Sequence, residues 1–376
     1  MRKQLENYLL KVIKGEKDGL LVKIVKMILT ILEVVYLVII KVREIFYKIK
    51  IFKSKKLDTK TISVGNITTG GTGKTPVVEK LASELSAKDK KVGILSRGYH
   101  SEGDSPLVIS DGQDILTEMN KAGDELYMMA SHLSGIPIVK GKDRHKAGEL
   151  ATSQFDLDML IVDDSFQHLQ LDRDLDIVVV DALNPFGYDH LLPRGILREP
   201  LSSLKRSDII VISRSDQVTE AKLEKIEDTI CSHNSKVDIF TSNHCPVKLN
   251  CLATNNKNNI KNISDLKEKK ALALSGIGNP DSFVKSLEEL EIKVVENAIY
   301  PDHYEYDQED VMDIVMKAQL NDVDFIITTE KDSIKFDEEI ISNFNKMDTE
   351  LYSLGIELKF NKNVDFSEQV LKFFKK

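Results

Sequence analysis

A glycine-rich turn lies between a short apolar run and a helical segment in SVGNITTGGTGKTPVVEKLA, which spans Ser63 to Ala82. Backbone amides in such a turn hold phosphate oxygens, and the following helix presents its positive end to them. Lys74 is expected to reach the β- and γ-phosphates, and the Thr75 hydroxyl to ligate Mg²⁺. The usual G-x-x-x-x-G-K-[ST] pattern has a glycine where this chain has Thr68, so a turn without a ligand is the alternative. We predict a nucleotide-phosphate site formed by Thr68, Thr69, Gly70, Gly71, Thr72, Gly73, Lys74 and Thr75.

Two adjacent carboxylates, Asp163 and Asp164, follow four apolar residues in DMLIVDDSFQH. Neighbouring carboxylates at a strand end repel each other unless a cation lies between them. We therefore predict that Thr75 and Asp163 ligate magnesium, and that both aspartates and Lys74 are catalytic residues. Which aspartate holds the metal directly stays open, and a solvated turn is the alternative.

Further polar candidates follow other apolar runs. Arg97 in LSRGY, and Arg198 with Glu199 in LLPRGILREP, can pair with phosphate oxygens or form structural ion pairs. Asp124 in AGDELYMM follows a glycine at a predicted helix start, so a helix cap is its simplest interpretation. His303 in YPDHYEY has an aromatic setting, in which a structural role is the more common one.

These candidates need a scaffold that brings strand ends together. Short β-branched runs alternate with helical segments after residue 56, at TISVGN, KVGILSRG, IPIVK, DMLIVDD, LDIVVVDA and DIIVISRSD. This alternation predicts an α/β fold with a doubly wound, mostly parallel sheet, and the phosphate turn lies at a strand's carboxyl end. A second, smaller α/β lobe is predicted from ALALSG, KVVENAIY and DFIITTEKD, after an Asn/Lys-rich stretch that is typical of a solvated loop. The predicted divisions are an N-terminal region 1–56, a core 57–250, a linker 251–267 and a C-terminal lobe 268–376.

The N-terminal region is basic and apolar. Residues 1–56 hold 14 Lys/Arg and 5 Asp/Glu, a net charge of +9, which leaves −17 for the remainder of a chain with −8 overall. This distribution disfavours nucleic acid as a partner and favours an anionic membrane surface touched by the N-terminus. On a helical wheel seven polar residues of the segment after Gly19 share one arc of about 80°, so we expect an amphipathic helix in the membrane interface. A helix packed on its own domain and a spanning helix are the alternatives. The residues of this polar stripe are Lys23, Lys26, Thr30, Glu33, Lys41, Glu44 and Lys48.

The three cysteines, Cys231, Cys245 and Cys251, lack zinc-type spacing, although His244 precedes Cys245. We interpret them as structural thiols in a reducing, cytoplasmic environment. The first twenty residues are rich in lysine and lack the features of a cleavable signal. No obligate protein partner is indicated.

Taken in order along the chain, these motifs resemble those of the tetraacyldisaccharide 4'-kinases of lipid A biosynthesis. The resemblance covers about residues 57–336, and the basic apolar helix resembles that family's membrane anchor. The motifs that carry it are GNITTGGTGKTP, LSRGY, GDE, DDSFQH, LLPRGILREP, SGIGNP, DHYEY and TTEKD.

The resemblance implies a P-loop NTPase-like kinase that moves the γ-phosphate of ATP, with Mg²⁺, to the 4'-hydroxyl of an acylated glucosamine disaccharide 1-phosphate lipid. It also implies that the protein acts at the cytoplasmic face of the inner membrane. The resemblance accounts for Thr68, because the family's loop likewise lacks a glycine at that position. The catalytic Asp–His pair of the family falls on Asp124 and His303. Its Arg–Glu pair falls on Arg198 and Glu199, which with Arg97 are the predicted substrate-binding residues. One departure is Ser165, where the family usually has glycine.

Two other classes of P-loop protein stay open at this point. A membrane-associated partitioning or targeting ATPase combines a similar loop with an amphipathic helix, but it would have a lysine where this chain has Thr69. A GTPase would read guanine with N/T-K-x-D, and the nearest match, Ser213 to Asp216, departs at its first two positions.

Overall fold

The computed structural model of the chain describes residues 2–99, 101–253, 260–346, 350–361 and 365–375. The strands in this part of the chain are β1 Lys60–Asn66, β2 Val92–Ser96, β3 Leu107–Ser110, β4 Ile138–Lys140, β5 Met159–Asp163, β6 Leu175–Asp181, β7 Ile209–Ser213, β8 Asp238–Ala253, β9 Lys270–Ser275, β10 Lys293–Ile299, β11 Phe325–Thr329 and β12 Leu351–Phe360. The helices are α1 Arg2–Ile13, α2 Leu20–Lys48, α3 Lys74–Ser86, α4 Met119–Ala122, α5 Asp124–His132, α6 Arg144–Gln154, α7 Glu220–His233, α8 Pro280–Glu289, α9 Gln308–Leu320, α10 Glu330–Ser333, α11 Glu338–Lys346 and α12 Phe366–Phe373.

All strands belong to one sheet, in the order β10-β9-β11-β12-β8-β7-β6-β1-β5-β2-β4-β3. Pairing is parallel except between β3 and β4 and between β8 and β12. The predicted α/β class and mostly parallel sheet are confirmed, and each strand that the sequence predicts is present. Strands β3 and β12 were not predicted, because each lacks a flanking pattern that separates it from a loop.

Strand β8 corrects one prediction. The Asn/Lys-rich stretch that begins at Asn243 was expected to be a solvated loop, yet β8 continues to Ala253 and pairs with β12. Its polar side chains find partners across the sheet, since Asn250 Nδ2 donates to Ser353 Oγ at 3.3 Å. The remaining Asn-rich part, residues 254–259, lies outside the described residues.

The order of the strands places the phosphate turn at a switch point. Strand β1 lies between β5 and β6, and the chain leaves it toward β2 on one side and later continues from β5 to β6 on the other. Open α/β sheets bind ligands at such crevices, outside the carboxyl ends of the strands. In the β1–β5 register Val64 is opposite Asp163, so the end of β1 and the two aspartates meet at the same edge.

Helices cover both faces of the sheet. On one face α3, α5 and α12 pack on alternate residues of β1, β5 and β6, such as Val64 and Ile161. On the other face α6 and α7 pack on the intervening residues, such as Val162 and Val178. Strands buried on both faces explain the continuous β-branched runs of the sequence.

The second lobe extends the same sheet through β8 and β12. Helix α8 packs on one face of β9 and β11, and α9 with α11 on the other. Helix α12 returns to the first lobe, where Phe366 and Val370 join the core around α3. The residue limits of the predicted divisions stay a prediction.

Helix α2 lies on the surface with Glu33 and Glu44 of its polar stripe turned toward the protein, whereas Lys23, Thr30 and Lys48 of the stripe are exposed. Glu33 and Glu44 contact His190 and Arg206 of the globular body. The opposite side of the helix is apolar and exposed, with Leu20 at 76% exposure. In the described part of the chain no helix combines the length and the apolarity needed to cross a bilayer. The exposed apolar residues are Leu20, Leu21, Ile24, Met27, Ile28, Ile31, Leu32, Val34, Val35, Val38, Ile39, Val42 and Ile45.

Candidate active site

The phosphate turn has the backbone that its glycines predict. Gly70 and Gly73 have φ of 104° and 86°, a region that favours glycine. A Cβ on Gly73 would also lie 3.2 Å from His244 Nε2, so the imidazole closes the space behind the turn. Thr68 is not among the described residues with positive φ, and its backbone bridges Leu197. This position therefore does not require the glycine that the common pattern places there.

Side chains from β1 and β7 hold the turn in place. Asn66 Nδ2 donates to Thr72 Oγ1 at 3.0 Å, and Ser213 Oγ donates to the Thr72 carbonyl at 2.8 Å. Arg214 donates to the Gly71 carbonyl at 3.1 Å. The sequence analysis did not predict that Ser213 and Arg214 of the SRSD segment support the phosphate turn. Their position at the end of a predicted strand was the feature that could have indicated it.

The two predicted aspartates have different surroundings. Asp164 accepts a hydrogen bond from Arg198 Nη1 at 2.8 Å and lies 3.4 Å from Lys74 Nζ. Burial alone would raise the pKa of Asp164, but these two cations outweigh burial and hold it below its usual range. Asp163 Oδ2 accepts from Ser96 Oγ at 3.0 Å, while its buried Oδ1 has no partner among the described residues. Burial raises the pKa of Asp163 to about 6.

Asp124 and His303 meet across the two lobes. His303 Nδ1 lies 2.7 Å from Asp124 Oδ2. Asp124 is the first residue of α5, after Gly123 with φ 83°, so it is not the helix cap that the sequence suggested as its simplest role. The hydrogen bond with Asp124 raises the pKa of His303 above its ordinary value. Burial alone would raise the pKa of Asp124, but the bond with His303 holds it below its ordinary value.

Lys331 on α10 braces this pair. Its Nζ donates to Glu125 Oε1 at 2.9 Å and to Asp302 Oδ1 at 3.0 Å, the neighbours in sequence of the two paired residues. The lysine therefore joins α5 to the turn that carries His303. The TTEKD motif thus contributes at least one side chain to the site.

The remaining predicted residues have other surroundings. Arg97 stacks on Tyr99, with 4.9 Å from its guanidinium carbon to the ring centroid. Glu199 is buried at 3% exposure and forms a 2.5 Å ion pair with Arg206. Its predicted substrate-binding role stays a prediction.

A residue that sequence reasoning missed is Arg144, the first residue of α6. Its guanidinium is buried, and Nε and Nη2 lack partners in the described residues. Burial lowers the pKa of Arg144 to about 10, and burial followed by the charge of Arg144 lowers the pKa of His168 to about 4. The positive charge of Arg97 also lowers the pKa of both Arg144 and His168. The two donors of Arg144 that lack partners among the described residues, with the nearby charge of Arg97, are suited to an anion.

A single cleft of about 400 Å³ contains most of these groups. The phosphate turn and the two aspartates line one side, and the Asp302–His303 turn lines another. Among the described residues no cluster of three or more His, Cys, Asp or Glu side chains forms a preassembled metal site. An unpartnered carboxylate oxygen on Asp163, near Thr75, nevertheless fits one ligand of a magnesium ion that is otherwise held by phosphate and water.

The fold and the cleft define a P-loop kinase, in which a nucleotide cradle faces a candidate base across a space for a second substrate. A sequence profile of the family described as tetraacyldisaccharide-1-P 4'-kinase matches residues 25–375. The chain belongs to this family. It is an ATP-dependent phosphotransferase of lipid A biosynthesis. Membership of this family does not favour the alternative interpretation of the chain as a partitioning or targeting ATPase.

Individual relatives agree with the profile. The tetraacyldisaccharide 4'-kinase of Halothermothrix orenii is 43% identical and covers 99% of both chains. That of Syntrophus aciditrophicus is 35% identical over 93% of each chain. The crystal structure of the "apo" form of LpxK from Aquifex aeolicus in complex with ATP has a TM-score of 0.69 and 30% identity, and covers 93% of this chain and 99% of that chain.

Proposed function

We propose that the chain transfers the γ-phosphate of ATP to the 4'-hydroxyl of tetraacyldisaccharide 1-phosphate, with Asp124 and His303 as the general base. The observation that carries this assignment is the 2.7 Å contact between the two side chains at the edge of the cleft. A sugar hydroxyl has a pKa far above 7 and is a poor nucleophile. An imidazole oriented by a carboxylate accepts its proton as the phosphorus–oxygen bond forms, which contributes about 10²- to 10⁴-fold in rate.

Lys74 and Arg198 neutralise charge on the transferred phosphoryl group in this mechanism. Both side chains lie against Asp164, so the aspartate holds two cations at the mouth of the phosphate turn. Phosphoryl transfer depends mainly on positioning and on neutralisation of charge. ATP therefore binds with its phosphates along the turn formed by residues 68–75.

Mg²⁺ is the second cofactor that we propose. The Thr75 hydroxyl and the unpartnered Oδ1 of Asp163 would hold it. Ser96 holds the other oxygen of Asp163 at 3.0 Å and so orients the carboxylate. The bound ion supplies positive charge to the phosphate oxygens.

The acceptor's own phosphate belongs with the arginine cluster. Arg97 and the unpartnered donors of Arg144 supply charge-assisted hydrogen bonds for a phosphate group. Glu199 supports the same region through its ion pair with Arg206.

Helix α2 is proposed to lie in the cytoplasmic surface of the inner membrane. Its outward face is apolar, and the basic N-terminal region suits anionic headgroups. An acylated substrate stays in the same surface, so the helix brings the cleft to it. No nucleic acid or obligate protein partner is part of this proposal.

The decisive experiment is transfer of label from γ-labelled ATP to tetraacyldisaccharide 1-phosphate in detergent micelles. Wild-type chain is expected to yield labelled lipid, and His303→Ala and Asp124→Asn to lose at least a hundredfold in turnover. His233→Ala, a histidine on α7, is the matched control. Absence of labelled lipid with wild-type chain would sink the proposal, as would ATP consumption that needs no lipid acceptor.

A further inference from the structure

Helix α2 contacts one loop of the body through two polar side chains. Glu33 Oε1 accepts a hydrogen bond from the Leu191 amide at 2.8 Å, and Glu33 Oε2 lies 3.1 Å from His190 Nδ1. One turn further along the helix, the Tyr36 hydroxyl donates to the Arg198 carbonyl at 3.0 Å. Residues 187–198, the 187–198 loop, are therefore attached to α2 at two points, at His190–Leu191 and at Arg198.

The 187–198 loop in turn braces the nucleotide cradle. Its Ile196 carbonyl accepts from the Thr69 amide at 2.8 Å, and the Arg198 amide donates to the Ile67 carbonyl at 2.7 Å. The side chain of Arg198 donates to Asp164 at 2.8 Å. A shift of this loop would move the phosphate turn and the arginine together.

A second set of contacts holds the residue after Arg198. Glu44 of α2 lies 3.3 Å from Arg206 Nη1, and Arg206 Nη2 lies 2.5 Å from Glu199. The helix thus holds the Arg198–Glu199 dipeptide from two sides.

We infer that Glu33 and Tyr36 are positioning residues, which hold the 187–198 loop so that Arg198 and the phosphate turn have the geometry needed for ATP. The inference rests on the proposed roles of Arg198 and the phosphate turn in nucleotide binding. It assigns α2 a function besides membrane attachment, because the same helix that lies in the lipid surface also supports the nucleotide site.

The chemistry of Glu33 favours this assignment over attachment alone. A carboxylate on a helix that lies in a lipid surface weakens its binding to that surface. The Glu33 side chain is only 16% exposed and makes its contacts with the loop, not with lipid. For attachment alone, leucine at this position would serve better.

The test compares full-length variants for vesicle flotation, ATP affinity and lipid kinase kinetics. Glu33→Leu makes the helix more apolar while removing both contacts with the loop. Thr30→Leu also places a leucine on this helix, and among the described residues the Thr30 hydroxyl bonds to the Lys26 carbonyl of the same helix and not to the loop, so it is the control. Glu33→Gln keeps an acceptor for the Leu191 amide and is the conservative variant.

We expect Glu33→Leu to float with anionic vesicles at least as well as the wild type, yet to lose about tenfold in kcat/KM for ATP and in ATP affinity. The KM for the lipid is expected to stay unchanged, and Glu33→Gln to retain most of the wild-type value. Tyr36→Phe, which removes one hydrogen bond, is expected to lose about threefold. Thr30→Leu is expected to match the wild type.

Wild-type ATP affinity and kcat/KM in Glu33→Leu would overturn the inference, and so would a loss of activity that parallels a loss of flotation. If Glu33→Leu unfolds at a lower temperature than the wild type, Tyr36→Phe replaces it as the test: a loss of ATP affinity in Tyr36→Phe supports the inference, and wild-type ATP affinity overturns it. Because ATP affinity is measured directly, the test of this inference does not depend on whether the chain transfers phosphate to the lipid. Wild-type chain that binds ATP but labels no lipid would contradict the proposed function alone.

Discussion

His303 Nδ1 and Asp124 Oδ2 lie 2.7 Å apart although 179 positions separate the two residues in the chain. The histidine follows β10 in the second lobe, and the aspartate begins α5 in the first. Their contact depends on the continuous sheet that carries both lobes.

Loss of either partner should stop chemistry without stopping nucleotide binding. For His303→Ala we expect kcat to fall by about 10²- to 10⁴-fold, because the acceptor hydroxyl keeps its proton. ATP affinity, measured by titration, should stay within about threefold, because neither side chain belongs to the phosphate turn. Turnover within threefold of the wild type would remove the pair from the mechanism.

The rate should depend on pH through His303. Its hydrogen bond with Asp124 raises the pKa of His303 above 6.5, and only the neutral imidazole accepts a proton. The value of kcat/KM should therefore fall as pH decreases through that raised pKa, and level off above it. An acid limb at or below the ordinary histidine pKa would contradict this assignment.

Lys331 should set the position of that limb. Its positive charge lowers the pKa of His303, while Asp124 and Asp302 raise it. Lys331→Met removes the cation and frees Asp302, so the acid limb should move to higher pH, measured as the profile of kcat/KM. Lys317→Met, which affects an exposed pair with Asp313 on α9, should leave the profile in place.

Asp163 should be needed for magnesium more than for ATP. Asp163→Asn removes the charge of the buried, unpartnered oxygen, so more Mg²⁺ should be required for half-maximal rate. ATP affinity measured without the metal should change little or improve. Asp156→Asn, at a side chain that is 88% exposed, is the control. An unchanged magnesium requirement would assign the ion to other ligands.

The outward face of α2 should be the membrane contact. Leu21→Glu combined with Ile28→Glu places two charges on side chains that are 74% and 50% exposed. Flotation with anionic vesicles should be lost while thermal unfolding stays unchanged, because exposed substitutions change the free energy of unfolding by about 0.5 kcal/mol or less. Met316→Glu combined with Leu320→Glu, on α9, adds the same charges elsewhere and should float normally. Flotation that survives the α2 changes would contradict this orientation.

Much of the nucleotide site could be predicted because it is local in sequence. The turn that begins at Gly70 connects β1 to α3, whose first residues are Lys74 and Thr75, and Gly70 and Gly73 have the backbone angles that their spacing predicts. Thr68 weakened the match to the common pattern, yet its backbone conformation needs no glycine. The strand pattern was equally readable, since buried strands are runs of apolar residues.

Other features could not be read from any local pattern. Strand β8 looks like a loop because its polar side chains find partners on residues that lie far away in sequence, such as Ser353 of β12. The polar stripe of α2 was visible in the sequence, but not that Glu33 and Glu44 face the protein and leave the apolar side exposed. The ion pair of Glu199 with Arg206 was equally invisible in the sequence, while the substrate-binding role of Glu199 stays a prediction.

The sequence by itself therefore determined the phosphate turn, the alternation of strands and helices and the family, because these depend on residue types at short and fixed spacings. The tertiary structure decided which distant side chains meet: His303 with Asp124, Lys331 with Glu125 and Asp302, and Glu33 with the 187–198 loop. The physical reason is that such contacts depend on the order and register of strands in the sheet. That order is set by the packing of the whole chain, and no local spacing of residues encodes it.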